Sequence, residues 1–331
     1  MTVFTGGMGM ATGRRGGGRS VRGALARFVA VAAAAVFAAP LCSCAQPAST
    51  AASDFDASRA MEHVRAQVAF GPRPPGSPAL EACRGYIAGR LREFGYEVEE
   101  DAFVAETPYG QVPMKNLIAR RRTGGGGPGV DGKPVVVLAT HYDTKLMPNL
   151  GEGKAFVGAN DGGSGTGLLL ELARVLAGDV SRDHWFLFLD GEEAFVEWSS
   201  FDSTYGSRHL ARKWKGDGTA ARIRAFVLLD MVGDRDLGIF YETHSTKRLM
   251  DLVWETATQA GVQAILSRAR GPVEDDHIPF LDAGVPAVDI IDLDYGPGNS
   301  YHHTAEDTLD KVSAESLGKV GRLVLALLPR L

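Results

Sequence analysis

The chain has 331 residues, 45% of them hydrophobic and 23% charged, a globular composition that excludes wholesale disorder. Lys and Arg number 35 against 40 Asp and Glu, and the formal charge of −5 argues against a general nucleic-acid binder, which carries a basic face. Three cysteines are too few for a disulfide scaffold.

Residues 1–43 read as an export leader. Arg14, Arg15, Arg19, Arg22 and Arg27 precede the Ala-rich apolar run Phe28 to Leu41, which is short for a bilayer span but suits the hydrophobic part of a signal peptide. The run ends at Leu41-Cys42-Ser43-Cys44, which resembles a bacterial lipobox with Cys44 as the lipidated first residue. An ordinary secretory signal with a nearby cleavage site is the alternative. Either way the expected location is the bacterial cell envelope or outside it, with a lipid anchor as the one membrane contact. Removing 43 residues from 331 leaves 288, with 30 basic against 40 acidic side chains and a formal charge of −10. Cys83 is then the one cysteine not used in processing. Residues 44–53 read as a linker and 54–331 as a single domain.

Within that domain Ser53 and Asp54 are placed to cap a helix running to about Val68. A turn-rich stretch, Phe70 to Pro78, leads to a second helix from about Ala79 to Phe94. Tyr96 to Phe103 alternates apolar and acidic residues as an edge strand does, with Asn116 to Arg121 as its hairpin partner and Gly124 to Gly132 as a flexible tip. Four apolar runs of buried-strand type follow: Val135–Ala139, Trp185–Leu189, Ala225–Leu229 and Ala287–Ile291. Helical patterns separate them at Gly163–Leu176, Ser207–Lys213 and Thr246–Ala260, and a last helix runs from about Ala314 to Leu328. Strands alternating with helices predict a three-layer α/β sandwich: a central mixed, mostly parallel sheet flanked by helices on both faces.

In such sheets sites form beyond the carboxyl ends of the strands. The first buried strand runs into His141 and Asp143, the second into Asp190, Glu192 and Glu193, and the third into Asp230. Asp161 opens the helix after Gly158-Ala-Asn, and His302-His303 follows the last strand. Carboxylates converging with imidazole are costly to assemble unless a cation neutralises them. One His and two carboxylates with an open position suit catalytic zinc, and Asp161, Glu193 and His303 are the expected ligands. Adjacent side chains at a strand end point to opposite sides, so Glu193 as ligand leaves Glu192 as the proton-transfer group. His63, His184, His209 and His244 read as surface or structural. His141 and His277 are candidates for a second metal or for orienting the ligands.

These residues carry a family resemblance. Thr140-His-Tyr-Asp-Thr-Lys145, Val157-Gly-Ala-Asn-Asp161, Phe188-Leu-Asp-Gly-Glu-Glu-Ala-Phe195, Trp198, Leu228-Leu-Asp-Met231, Asp275-Asp-His-Ile-Pro-Phe-Leu281 and His303-Thr304 with Asp307 resemble the animal-type zinc-dependent glutaminyl-peptide cyclotransferases. Those enzymes share their fold with the M28 zinc aminopeptidases. The zinc pattern is common to both. Phe195 with Trp198, and Asp275-Asp276 where aminopeptidases usually have Ser-Asp, point to the cyclases. Three positions depart from the cyclases: His302 stands where they typically have Trp, and Thr140 and Thr166 match the positions of their disulfide.

The resemblance implies conversion of N-terminal Gln in peptides and proteins to pyroglutamate with release of ammonia. It implies one zinc ion, Glu192 as proton shuttle, Asp230 and Asp275 in an acidic network around it, and Trp198, Met231 and His302 in the substrate pocket. A di-zinc aminopeptidase, using His141 and Asp230 as well, remains open, as does a non-catalytic binding lipoprotein. No coiled coil or interface stripe specifies an oligomeric state.

Overall fold

The computed structural model describes residues 54–121, 134–179 and 182–331. The expected leader, Cys44 and linker, and the tip at 124–132, lie outside the described residues. The first helix, α1 (Ala57–Val68), starts later than its sequence suggests: Asp56 caps it, its carboxylate accepting from the Ser58 and Arg59 amides at 2.9 and 3.3 Å. Ser77 caps α2 (Pro78–Glu93), with Pro78 at the first helical position, where its missing N–H costs nothing.

The hairpin β1 (Tyr96–Thr107) and β2 (Gly110–Arg121) is longer than expected at its turn end and lies at one edge of the main sheet. Then come β3 (Val135–His141), α3 (Gly163–Leu176), β4 (Asp183–Leu189), α4 (Tyr205–Asp217) and β5 (Ile223–Asp230). The chain continues through β6 (Ile239–Glu242), α5 (Lys247–Gln259), β7 (Leu266–Gly271), α6 (His277–Asp282), β8 (Ala287–Ile291) and α7 (Ala314–Leu327). The main sheet has the order β1-β2-β4-β3-β5-β8. Its hairpin is antiparallel, and β4, β3, β5 and β8 run parallel. A short strand before His244 is expected and is β6; its parallel partner β7 was not anticipated, because it carries Arg268 and Arg270 at exposed positions and lacks an apolar run.

Alternation along the strands sorts the core into two layers. Val136, Leu138, Phe186, Phe188, Val227 and Leu229 face α1, α2, α3, α5 and α7. Val135, Val137, Leu187, Phe226 and Leu228 face α4 and α6, where Trp214 and Phe280 fill the space. Both sheet faces are therefore covered, as a parallel sheet requires. From β3 the chain moves to one neighbour for β4 and to the other for β5, so the order reverses beside the end of β3. The register puts His141, Leu189, Asp230 and Ile291 at one rim. That reversal opens the crevice in which ligands bind in sheets of this kind. Among the described residues no helix is long and apolar enough to cross a membrane.

Candidate functional site

The rim is built by close backbone approach. Gly162 sits at φ +71° ahead of α3, and a Cβ there would lie 2.3 Å from the Asp143 carbonyl oxygen. A Cβ on Gly165 would lie 2.2 Å from Thr140 Oγ1 and 2.4 Å from the Leu229 carbonyl. These contacts seat the start of α3 against β3 and β5 and aim Asp161 across the rim. Asp307 holds the same turn from the far side, accepting from the Asn160 and Asp161 amides at 2.8 and 3.1 Å. Thr140 and Thr166 both donate to the His141 carbonyl at 3.1 Å, so hydroxyl bonds tie β3 to α3.

Asp161, Glu193 and His303 come together. His303 Nε2 lies 3.0 Å from Glu193 Oε1 and 3.3 Å from Asp161 Oδ2. His303 adopts φ +51° and Met231 φ +50°, a region that side chains other than Gly rarely occupy and that concentrates at functional sites. Burial pushes Asp161 toward protonation, but hydrogen bonds from His141 and His303 override it and hold the carboxyl well below its ordinary range. Burial lowers His303, while Glu193 and Asp161 raise it to about 10. Lys145, from the loop after β3, adds a contact of 3.4 Å to Glu193 Oε2.

The two adjacent glutamates diverge as expected. Their amides both donate to Asp143, at 3.2 Å from Glu192 and 3.3 Å from Glu193, which fixes the turn after β4. Glu192 turns toward His141, with Oε2 3.7 Å from Nδ1. Burial pushes the Glu192 carboxyl well above its ordinary value; His141 opposes this, and Glu193, Asp275 and Asp276 reinforce it. Asp275 is raised as well, first by burial and then by Asp230 and Asp276. His141 Nε2 bonds Asp230 Oδ1 at 3.0 Å and approaches Asp161 Oδ1 at 3.3 Å. His141, Asp161 and Asp230 thus form a second possible donor set.

His277 is not at the rim. It is buried beside Glu242 (3.3 Å) and Asp289 (3.9 Å), in a group that reaches the cavity through Asp275, which lines it. Sequence reasoning missed Glu242 and Asp289, because neither lies in a motif and each reaches the group only through the fold. It also passed over Asp143 as a site residue, although the residue stands in the Thr-His-Tyr-Asp motif. His302 stacks on His303 with ring centroids 3.9 Å apart, and one of its ring nitrogens lies within 4.8 Å of donor atoms of Asp161 and His303. A cavity of about 400 Å³ covers the site, lined among others by Glu192, Trp198, Asp230, Met231, Asp275 and His302. Of the remaining histidines, His63 and His184 are buried, while His209 and His244 are partly exposed.

Comparison with known proteins agrees with this geometry. Residues 116–328 match peptidase family M28. The glutaminyl-peptide cyclotransferase of Bothrops jararaca is 36% identical over 75% of this chain and 75% of its own. The crystal structure of an Acidobacteriales bacterium glutaminyl cyclase superposes with a TM-score of 0.76 at 42% identity, covering 83% of this chain and 94% of that one. The Porphyromonas gingivalis glutaminyl cyclase gives a TM-score of 0.73 at 30% identity, covering 84% of this chain and 99% of that one. The chain belongs to peptidase family M28 and, within it, to the glutaminyl-peptide cyclotransferases.

Proposed function

We propose that the protein is a zinc-dependent glutaminyl-peptide cyclotransferase that converts N-terminal Gln of peptides and proteins to pyroglutamate with release of ammonia. One observation carries this reading beyond the family: Asp275 stands beside Glu192 in the cavity that Trp198 lines. Cyclisation needs a group that takes a proton from the α-amine and returns it to the departing amide nitrogen. A buried carboxyl pushed upward by carboxyl neighbours holds and passes on a proton readily.

The donor set fits zinc. Two ligands about 2 Å from a common tetrahedral ion stand roughly 3.3 Å apart. The 3.0 and 3.3 Å spacings of Glu193 and Asp161 from His303 Nε2 match that. Asp161, Glu193 and His303 would hold one ion, which supplies a Lewis acid to the γ-carbonyl of Gln. Glu192 moves the proton, while Asp230 and Asp275 hold it in place through the network around His141. Trp198, Met231 and His302 wall the pocket and keep the Gln side chain folded back toward its own amine, so that the attack is pre-oriented. Residues 1–43 carry the chain out of the cytoplasm, Cys44 anchors it to the envelope through lipid, and residues 54–331 form its catalytic domain.

The convergence of His141, Asp161 and Asp230 favours a second reading, a two-zinc aminopeptidase. A zinc titration separates the two. Metal-free protein is titrated with zinc while ammonia release from Gln-Ala-amide is followed. Full activity at one equivalent per chain supports the cyclase. Ammonia release that never appears, with free amino acid formed only at two equivalents, rejects it.

A further inference from the structure

The cavity over Glu192 does not end at Trp198. A second cavity of about 560 Å³ shares Trp198, Glu274 and Asp275 with it. One wall of this cleft is α4. Its residues Arg208, Arg212 and Lys215 follow at spacings of four and three and so line up on one helix face. Among the described residues none of the three forms an ion pair with a carboxylate. Arg208 donates to the Ser203 and Phe201 carbonyls and Lys215 to the Asp282 carbonyl, all neutral acceptors. Arg208 and Arg212 are also near enough to repel one another. The facing wall carries Glu274 and Asp282, both exposed, and Asp202 and Asp276 offset Arg208, so the surplus positive charge on the α4 side sits on the exposed Arg212 and Lys215. In a chain of formal charge −5 that stripe runs against the overall balance.

We propose that this cleft receives the substrate segment that follows the N-terminal Gln and favours acidic side chains there. The proposal rests on the cyclase reading, which puts the first residue over Glu192. The peptide then leaves past Trp198, half exposed between the two cavities, and enters the cleft along α4. A carboxylate on the second to fourth residue meets the cations that lack a carboxylate partner, while a lysine there meets like charge. Such contacts at the rim of a site act on capture and on selection between substrates, and salt screens them.

The test compares ammonia release by the zinc-loaded enzyme from Gln-Glu-Glu-Ala-amide, Gln-Ala-Ala-Ala-amide and Gln-Lys-Lys-Ala-amide. At low ionic strength kcat/KM for the acidic peptide should exceed that for the lysine peptide by roughly 3- to 10-fold, and the gap should narrow as salt is added. Arg212→Glu with Lys215→Glu, both at exposed positions, should reverse the order and leave turnover of Gln-Ala-amide unchanged. Equal kcat/KM for the three peptides, or a preference that survives the double charge reversal, overturns the proposal. Failure of wild-type enzyme to release ammonia from Gln-Ala-amide is a different result, which defeats the cyclase reading. The cleft is then judged by calorimetric binding of the same three peptides, and equal affinities overturn it there too.

Discussion

Glu192→Gln is the sharpest single perturbation of this site. The substitution keeps the size of the side chain and removes its ability to take up a proton. Glu192 faces His141 at 3.7 Å, while the expected ligands Asp161, Glu193 and His303 contact one another. Zinc content should therefore stay as in wild type. General acid–base groups contribute on the order of 10² to 10⁴ in rate, so kcat should fall by that factor, with KM changed only a few-fold. Stability should not fall, because a neutral amide replaces a carboxyl crowded by Glu193, Asp275 and Asp276. The assay couples ammonia release to zinc analysis and thermal unfolding of the same preparation. Full activity with zinc bound refutes the assigned role. Loss of zinc together with activity refutes it differently, by making Glu192 a ligand.

Other consequences follow from the same coordinates. Gly165→Ala puts a methyl within 2.2 Å of Thr140 Oγ1 and 2.4 Å of the Leu229 carbonyl, and should cost about 1–3 kcal/mol in urea unfolding. Gly85→Ala, inside α2 with nothing within 4 Å of the new methyl, should raise stability, and a loss there would count against the packing argument. Burial lowers His63 and His184 from 6.5 to about 4. Both are neutral in the folded chain while the unfolded chain takes up protons below about pH 6.5, so stability should decline as pH falls from there toward 4. Each contributes up to about 3 kcal/mol to that decline. Among the described residues neither ring nitrogen of His184 has a hydrogen-bond partner, so His184→Leu should flatten the decline between pH 7 and 4.5 without orphaning a polar group. An unchanged pH dependence in that variant would show that His184 is not responsible.

The parallel core was readable because its strands are almost wholly apolar: Ala287–Ile291, broken by Asp289, and the helix Gly163–Leu176 stand where the sequence places them. Ends were less legible. Asp56 takes the cap expected of Ser53 or Asp54, since all three are polar and only the fold selects among them. Of the rim residues, His141 and Asp230 were legible as the last residues of strands and Glu192 and Glu193 from the turn after one, while Asp161 stands ahead of a helical pattern and His303 in the loop after the last strand. Glu242 and Asp289 were not, since they reach the Asp275 and His277 group from β6 and β8. The α4 cations look like an ordinary solvated helix face in sequence. Their meaning comes from the cleft beside Trp198, which no local pattern encodes.

The central claim is that Gln at a peptide N-terminus is cyclised and not cut away. Incubating zinc-loaded protein with Gln-Ala-Ala-Ala-amide and weighing the products by mass spectrometry tests it directly. The account predicts one product, the intact peptide lighter by one ammonia. Free glutamine beside a shortened peptide would contradict it.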